Sequence, residues 1–254
     1  MSGLTAAIHQ PHYLPWLGYL AKLDRADVFV YLDTVQFEKN GWQNRNRIKT
    51  PQGAQWLTVP VRHRFGQRIL EVEIGEAEGW RRKHRQALAT HYGSAPHFAA
   101  VWAALEGLYA EPWERLADVA VASTECLARL LGIRRRTLRA SAMGPLPEEP
   151  TDRLVAICKA LGADTYLAGA GGPGYMTMDR FARAGITVRV QDYRHPEYPQ
   201  RYGPFVPSLA AVDLLCNMGP ESLTVLRSGA AWSRHDAVGP PDVAGDPPGE
   251  SVQR

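Results

Sequence analysis

Two histidines close the first apolar run of the chain: Leu4 to Ile8 is followed at once by His9-Gln10-Pro11-His12. An imidazole can take or give a proton near neutral pH because its ordinary pKa lies there. Asp33 stands at the end of a second apolar run, Val28 to Leu32, and His195 follows a third, Ile186 to Val190. A dense set of donors comes after Asp33: Gln36, Gln43, Asn44, Arg45, Asn46, Arg47 and Lys49. On a strand, alternation would send Arg45, Arg47 and Lys49 one way and Asn44 and Asn46 the other. The first face suits a phosphate or carboxylate, the second a sugar or amide. Such groups suit a proton transfer at a substrate that carries an anion, a sugar or an amide.

In that chemistry His9 is the first choice of base, His195 the second, and Asp33 would orient an imidazole or hold the amine. Amide groups of Gln10, Gln43, Asn44 and Asn46 would hold the carbonyl oxygen as charge develops. Arg45 and Lys49 would take a phosphate. Tyr13, Trp16, Gln36, Tyr175 and Tyr198 complete the expected substrate-binding set. Plainer roles stand beside each of these: His9 as a loop cap, Asp33 as a turn residue, and the Arg-Lys run as the guarding charges of an exposed edge strand.

Two further motifs bear on the chemistry. His9 and His12 have the H-x-x-H spacing of a strand–loop–helix that holds triphosphates, but Gln10-Pro11 replaces the glycine expected beside the second histidine. The Gly169-Ala170-Gly171-Gly172-Pro173-Gly174 turn between a strand and a helix resembles a phosphate cradle. Pro173 removes a backbone donor there, and no Walker lysine follows. The turn therefore suits close approach of a ligand, with Tyr175 beside it, better than a dinucleotide. The cysteines Cys126, Cys158 and Cys216 are isolated, with no C-x-x-C pair, which argues against a zinc site or a disulfide framework. Cys158 falls inside a helix and is expected to be packed. His9, Asp33 and His195 form no local ligand pair, so no metal is expected.

These residues need strands to carry them. Apolar runs of strand length at 4–8, 28–32, 164–168 and 186–190 alternate with helical patterns at 16–23, 154–161 and 178–184. That rhythm predicts an α/β fold with a mostly parallel sheet and flanking helices. Arg45 to Lys49 and Gln55 to Val61 flank Thr50-Pro51-Gln52-Gly53, a turn sequence, so a β-hairpin follows the first β-α-β unit. A further strand is expected at 70–74 and a weak one at 137–140. Helices at 78–92, 97–109 and 113–131 make an insertion over about 78–132. Thr151-Asp152-Arg153 is expected to cap the next helix. Helices at 210–217 and 221–226 end a single domain of residues 1–227. From Ser228 to Arg254 glycine, proline and small residues prevail, which predicts a disordered tail.

The chain has 254 residues, 45% of them hydrophobic and 22% charged, and carries a formal net charge of +3. This length supports a sizeable core. The mild positive balance argues against a nucleic-acid partner and suits small anions or an acidic protein. No apolar run is long enough to span a bilayer, and no leader pattern opens the chain, so a cytoplasmic protein is expected. The basic helix with Arg81, Arg82, Lys83 and Arg85 would receive an acidic carrier protein.

The phrases IHQPHYLPWLGYLAKL, LDTVQFEKNGWQNRNRIKT and WLTVPV resemble the WbqC-like family of bacterial proteins. So do TDRLVAICKALGADTYLAGAGGPGYM, VQDYRHPEYPQ and PSLAAVDLLCNMG downstream. The resemblance implies work in O-antigen, other sugar or natural-product clusters, and a glycine (aminoacyl) transferase role has been suggested for a member. It therefore points to an acyl- or aminoacyl-transferase forming an amide on an amino sugar or related amine. A phosphopantetheine thioester would be the donor, no cofactor would be tightly bound, and the acceptor would be a small amine or nucleotide-sugar. Two alternatives stay open: nucleotidyl transfer through the His9–His12 loop, and a non-catalytic sugar- or nucleotide-binding accessory protein.

Overall fold

The computed structural model describes residues 3–75 and 79–235. In chain order its strands are β1 (Leu4–His9), β2 (Val28–Tyr31), β3 (Arg45–Thr50), β4 (Gly53–Thr58), β5 (Val61–Arg62), β6 (Glu73–Ile74), β7 (Arg136–Arg139), β8 (Ala163–Ala168), β9 (Thr187–Tyr193) and β10 (Ala230–His235). The helices are α1 (Leu17–Arg25), α2 (Trp80–Tyr92), α3 (Phe98–Ala110), α4 (Leu116–Leu130), α5 (Pro150–Leu161), α6 (Met178–Arg183), α7 (Val212–Met218) and α8 (Ser222–Ser228). None of the described helices is long and apolar enough to cross a membrane.

Six strands form the main sheet in the order β10-β9-β8-β1-β2-β7. All neighbours pair in parallel except β10 against β9. β3 with β4 and β5 with β6 make separate antiparallel hairpins. The expected architecture is therefore present: a mostly parallel sheet, flanking helices, a hairpin after the first β-α-β unit, and helices α2, α3 and α4 between β6 and β7.

The pattern of the strands sorts the two faces. Ala6, Ile8, Val28, Val30, Tyr166, Ala168 and Val188 join one core with residues of α5 and α6. Ala7, Phe29, Tyr31 and Leu167 join the other, with residues of α1, α4, α7 and α8. By alternation His9 falls on the same face as Ala7, under α1. The connection from β1 to β2 thus runs over one face and that from β8 to β9 over the other. Counting only the main sheet, the strand order is 3-2-1-4-5-6, and the reversal falls between β1 and β8. Ligands of open α/β sheets bind beyond the carboxyl ends of the strands at such a switch point.

Several elements depart from expectation. Residues 230–235, placed by composition in the tail, form an edge strand, because Trp232 packs on the core beside Tyr193 and the strand pairs along β9. The tail from residue 236 lies outside the described residues. The cap of α5 is Glu149, whose carboxylate accepts from the Asp152 backbone N–H, with Pro150 in the first turn. Thr151 turns inward instead and accepts from the Thr177 backbone N–H. Residues 69–71 form a 3-10 turn before β6, and Val61 leaves the first hairpin to pair with Ile74.

Candidate functional site

The loop that follows β1 is tied down at almost every residue. The His9 carbonyl accepts from the Leu32 N–H. Gln10 accepts at its carbonyl from the Tyr19 hydroxyl and at Oε1 from Gln43 Nε2, 2.8 Å away. The His12 carbonyl accepts from Thr124 Oγ1. Leu14 has φ 44°, a strained conformation for a branched residue, and is held there from both sides. Its N–H donates to Ser123 Oγ, and its carbonyl accepts from Asn46 Nδ2 at 2.7 Å. Trp16 then bridges to Ala210. Gly18 lies beneath the Trp16 ring, where an added Cβ would come within 2.2 Å of it. The loop is pre-set before any ligand arrives.

What it presents is a cluster of bases. The rings of His9 and His12 stand 4.7 Å apart, and Tyr19 lies 4.7 Å from the first and 4.9 Å from the second. Lys22, one turn further along α1, is buried, and an atom placed as Cβ on Gly169 would lie 3.9 Å from its amine. The end of β1, helix α1 and the glycine turn after β8 thus meet at the switch point. His9 Nδ1 stands 3.1 Å from the Gln10 carbonyl, which can only accept. Nδ1 therefore carries the proton, and Nε2 keeps its lone pair. His12 Nδ1 is buried with no hydrogen-bond partner among the described residues.

Burial sets the charge state of the cluster. Desolvation, then the nearby Lys22 and His12, hold His9 well below its usual pKa. Desolvation and Lys22 push His12 down to about 3. Desolvation lowers Lys22 from 10.5 to about 7. No carboxylate figures among these influences. Both imidazoles are neutral at pH 7, and His9 retains partial exposure.

The other expected residues have partners of their own. Asp33 is buried, and Ser141 donates to it from its backbone N–H at 2.9 Å and its hydroxyl at 2.6 Å. His195 lies on the same sheet edge, in a box of Trp16, Tyr193, Tyr198 and Phe205. The Tyr198 hydroxyl is 2.8 Å from Asp213, which also accepts from Tyr92. Tyr13 is fully buried, its hydroxyl on His84 and Tyr109. Gln36 bridges to Arg68 in the backbone. Tyr175 stands exposed next to the glycine turn.

The donor run turns out to be mostly structural. Gln43 accepts from the Glu38 N–H and fixes Gln10. Asn44 holds the Val59 carbonyl, and Asn46 holds Leu14. Lys49 is buried, and its amine donates to Gln200 Oε1 and to the carbonyls of Gly203 and Pro204. The Lys49 amine is thus engaged within the protein. Arg45 lies over the exposed Trp56 ring at 4.2 Å, with Arg47 between Trp42 and Trp56.

Lys22 and Tyr19 were not singled out from sequence. A signal was present: Lys22 is the one cation in the run Leu17 to Leu23, flanked by Leu20, Ala21 and Leu23. Nearly all of α1 is buried, so a lysine there must face a polar site or a ligand. Cys158 is buried, and burial pushes its thiol up to about 12, the mark of a packed rather than a reactive thiol. A surface hollow of about 600 Å³ lined by Arg62, Trp80, Arg81, Trp113 and Arg115 lies beside β5 and β6, away from the strand ends.

A model of the WbqC-like protein family matches residues 10–225. Uncharacterized protein Rv1507c of Mycobacterium tuberculosis is 36% identical over 227 residues, covering 87% of this chain and 96% of that protein. No solved structure gives a significant match. The chain belongs to the WbqC-like family.

Proposed function

We propose that this WbqC-like protein is an acyl- or aminoacyl-transferase that forms an amide on the amine of an amino sugar or a related small molecule. The observation that carries the reading is His9: a neutral imidazole at the switch point, its Nδ1 engaged and its Nε2 free. As the amine nitrogen attacks the activated carbonyl carbon, its proton passes to His9 Nε2. The bond to the leaving group then breaks, and that group departs with the electron pair. Gln43 fixes the Gln10 side chain through Oε1, which leaves the Gln10 amide N–H groups to the carbonyl oxygen as charge develops. The donor is a phosphopantetheine thioester. Arg82, Lys83 and Arg85 are exposed on α2 and would meet an acidic carrier protein.

The test supplies purified protein with acyl and glycyl thioesters of coenzyme A and a panel of nucleotide-linked amino sugars. Mass spectrometry should show the acyl group gained on the sugar amine, and no gain with His9→Ala. Sugar binding without any acyl gain across the panel would favour the accessory-protein role. A second reading, nucleotidyl transfer, draws on the contact between the His9 and His12 rings. It predicts magnesium-dependent pyrophosphate release from a nucleoside triphosphate, lost in both His9→Ala and His12→Ala.

A further inference from the structure

The cluster at the switch point holds more basic groups than a single proton transfer uses. His9 accounts for the base. Lys22 and His12 remain, both buried, with no acceptor among the described residues bonded to the Lys22 amine or to His12 Nδ1. A buried lysine without an anionic partner is costly as an ammonium and tends to lose its proton, and a bound anion would restore its charge. The opposite wall is the turn after β8. There Gly169 presents backbone with no side chain, and the Gly169 carbonyl closes the turn by accepting from the Gly172 N–H. The strand order places this junction where nucleotide phosphates sit in doubly wound sheets.

We propose that the junction of the ends of β1 and β8 is a binding site for the diphosphate of a nucleotide-type ligand, held by Lys22 and His12 beside the Gly169 turn. This site deepens the transferase reading, resting on its placement of the reaction at the same crevice, and supplies a phosphate anchor. The titratable groups around Lys22 are His9 and His12 from the loop after β1, with Tyr19 of its own helix packed on both rings, and Tyr175 follows the Gly169 turn. Tyr19 donates to the Gln10 carbonyl, and burial keeps it protonated. With Lys22 near 7, most of the amine is neutral at pH 7.5. A bound diphosphate favours the ammonium form, so binding takes up a proton and tightens as pH falls from 8.5 towards 6.5.

Calorimetric titration of the full chain with inorganic pyrophosphate, ADP and coenzyme A at pH 7.5, in buffers of two ionisation enthalpies, tests the site. At least one of the three should bind with uptake of up to one proton, and Lys22→Met should weaken it tenfold or more and abolish the uptake. Preference for ADP or for coenzyme A shows whether the diphosphate comes from a nucleotide alone or from a pantetheine carrier. If Lys22→Met does not fold, Gly169→Ala decides, because its Cβ meets only the Lys22 amine at ordinary contact distance. It should weaken binding at least fivefold with melting unchanged. Binding that survives either folded variant unchanged, or no binding of any of the three, overturns the site. Amide formation by Lys22→Met with an unaltered donor KM would sink this site and keep the transferase. Diphosphate binding lost in Lys22→Met, with no amide formed by the wild type, would do the reverse.

Discussion

His9 and His195 both follow strands of one parallel sheet, and both were candidates for the same base. The structure gives them different surroundings. His9 ends β1 at the switch point and packs against His12 and Tyr19, near the Lys22 amine that lies beside Gly169. His195 follows β9, with β8 between it and β1, and is ringed by Trp16, Tyr193, Tyr198 and Phe205. A position after a strand places a residue on the functional edge of the sheet. Only the place where the crossovers change face opens a crevice for it to work in.

The largest effect that would break this comparison concerns turnover. His9→Ala should lower the rate of amide formation by about two to four orders of magnitude, the usual worth of a general base. His195→Ala should lower it less than tenfold and reduce stability by about 1 kcal/mol through lost aromatic packing. Single-turnover measurements on both variants check this, and equal losses would return His195 to the reaction.

Next in size is the pair of buried lysines, Lys49 with hydrogen-bond partners and Lys22 with none among the described residues. Lys49→Met leaves the Gln200, Gly203 and Pro204 acceptors unmet and takes the cation away from the buried Asp213. It should cost about 3 kcal/mol in urea denaturation, and Asp213→Asn in the same chain should recover part of that. Lys22→Met should do the opposite and stabilise the ligand-free protein by about 2 kcal/mol at pH 7. The sign follows from the pKa: the folded state holds the Lys22 proton only below about 7, the unfolded chain up to 10.5. Wild-type stability therefore rises between those two values, and the methionine variant lacks that rise. Parallel stability curves for the two proteins from pH 7 to 10 would contradict the burial of this amine.

The smallest expected effect lies at the hairpin. Arg45→Ala removes the guanidinium from the exposed face of Trp56 and should change stability by about 0.5–1 kcal/mol. A thermal-melt shift checks it, and turnover should fall by less than a factor of about three. A large loss of turnover would bring the arginine face back into the substrate site.

The α/β rhythm was legible because its signals are local. Apolar runs of strand length at Leu4 to Ile8 and Val28 to Leu32 alternate with helical spacing, and Thr50-Pro51-Gln52-Gly53 turns the hairpin wherever the hairpin sits. His9 was found for the same reason, since the strand before it ends visibly. The edge strand Ala230–His235 was not, because small residues carry little pattern and only pairing with β9 gives them a structure.

By itself, then, the sequence determined the family, the sheet class and the strand-end positions of His9, Asp33 and His195. Tertiary structure alone decided which polar groups were already engaged by internal partners. Asp33 was taken by Ser141, Asn46 by the strained Leu14, and Lys49 by the 200–204 loop, while Lys22, beside two histidines, has no hydrogen-bond partner among the described residues. The reason is that a donor's chemistry is local, whereas its availability depends on which distant acceptors folding brings within about 3 Å and how much water burial removes.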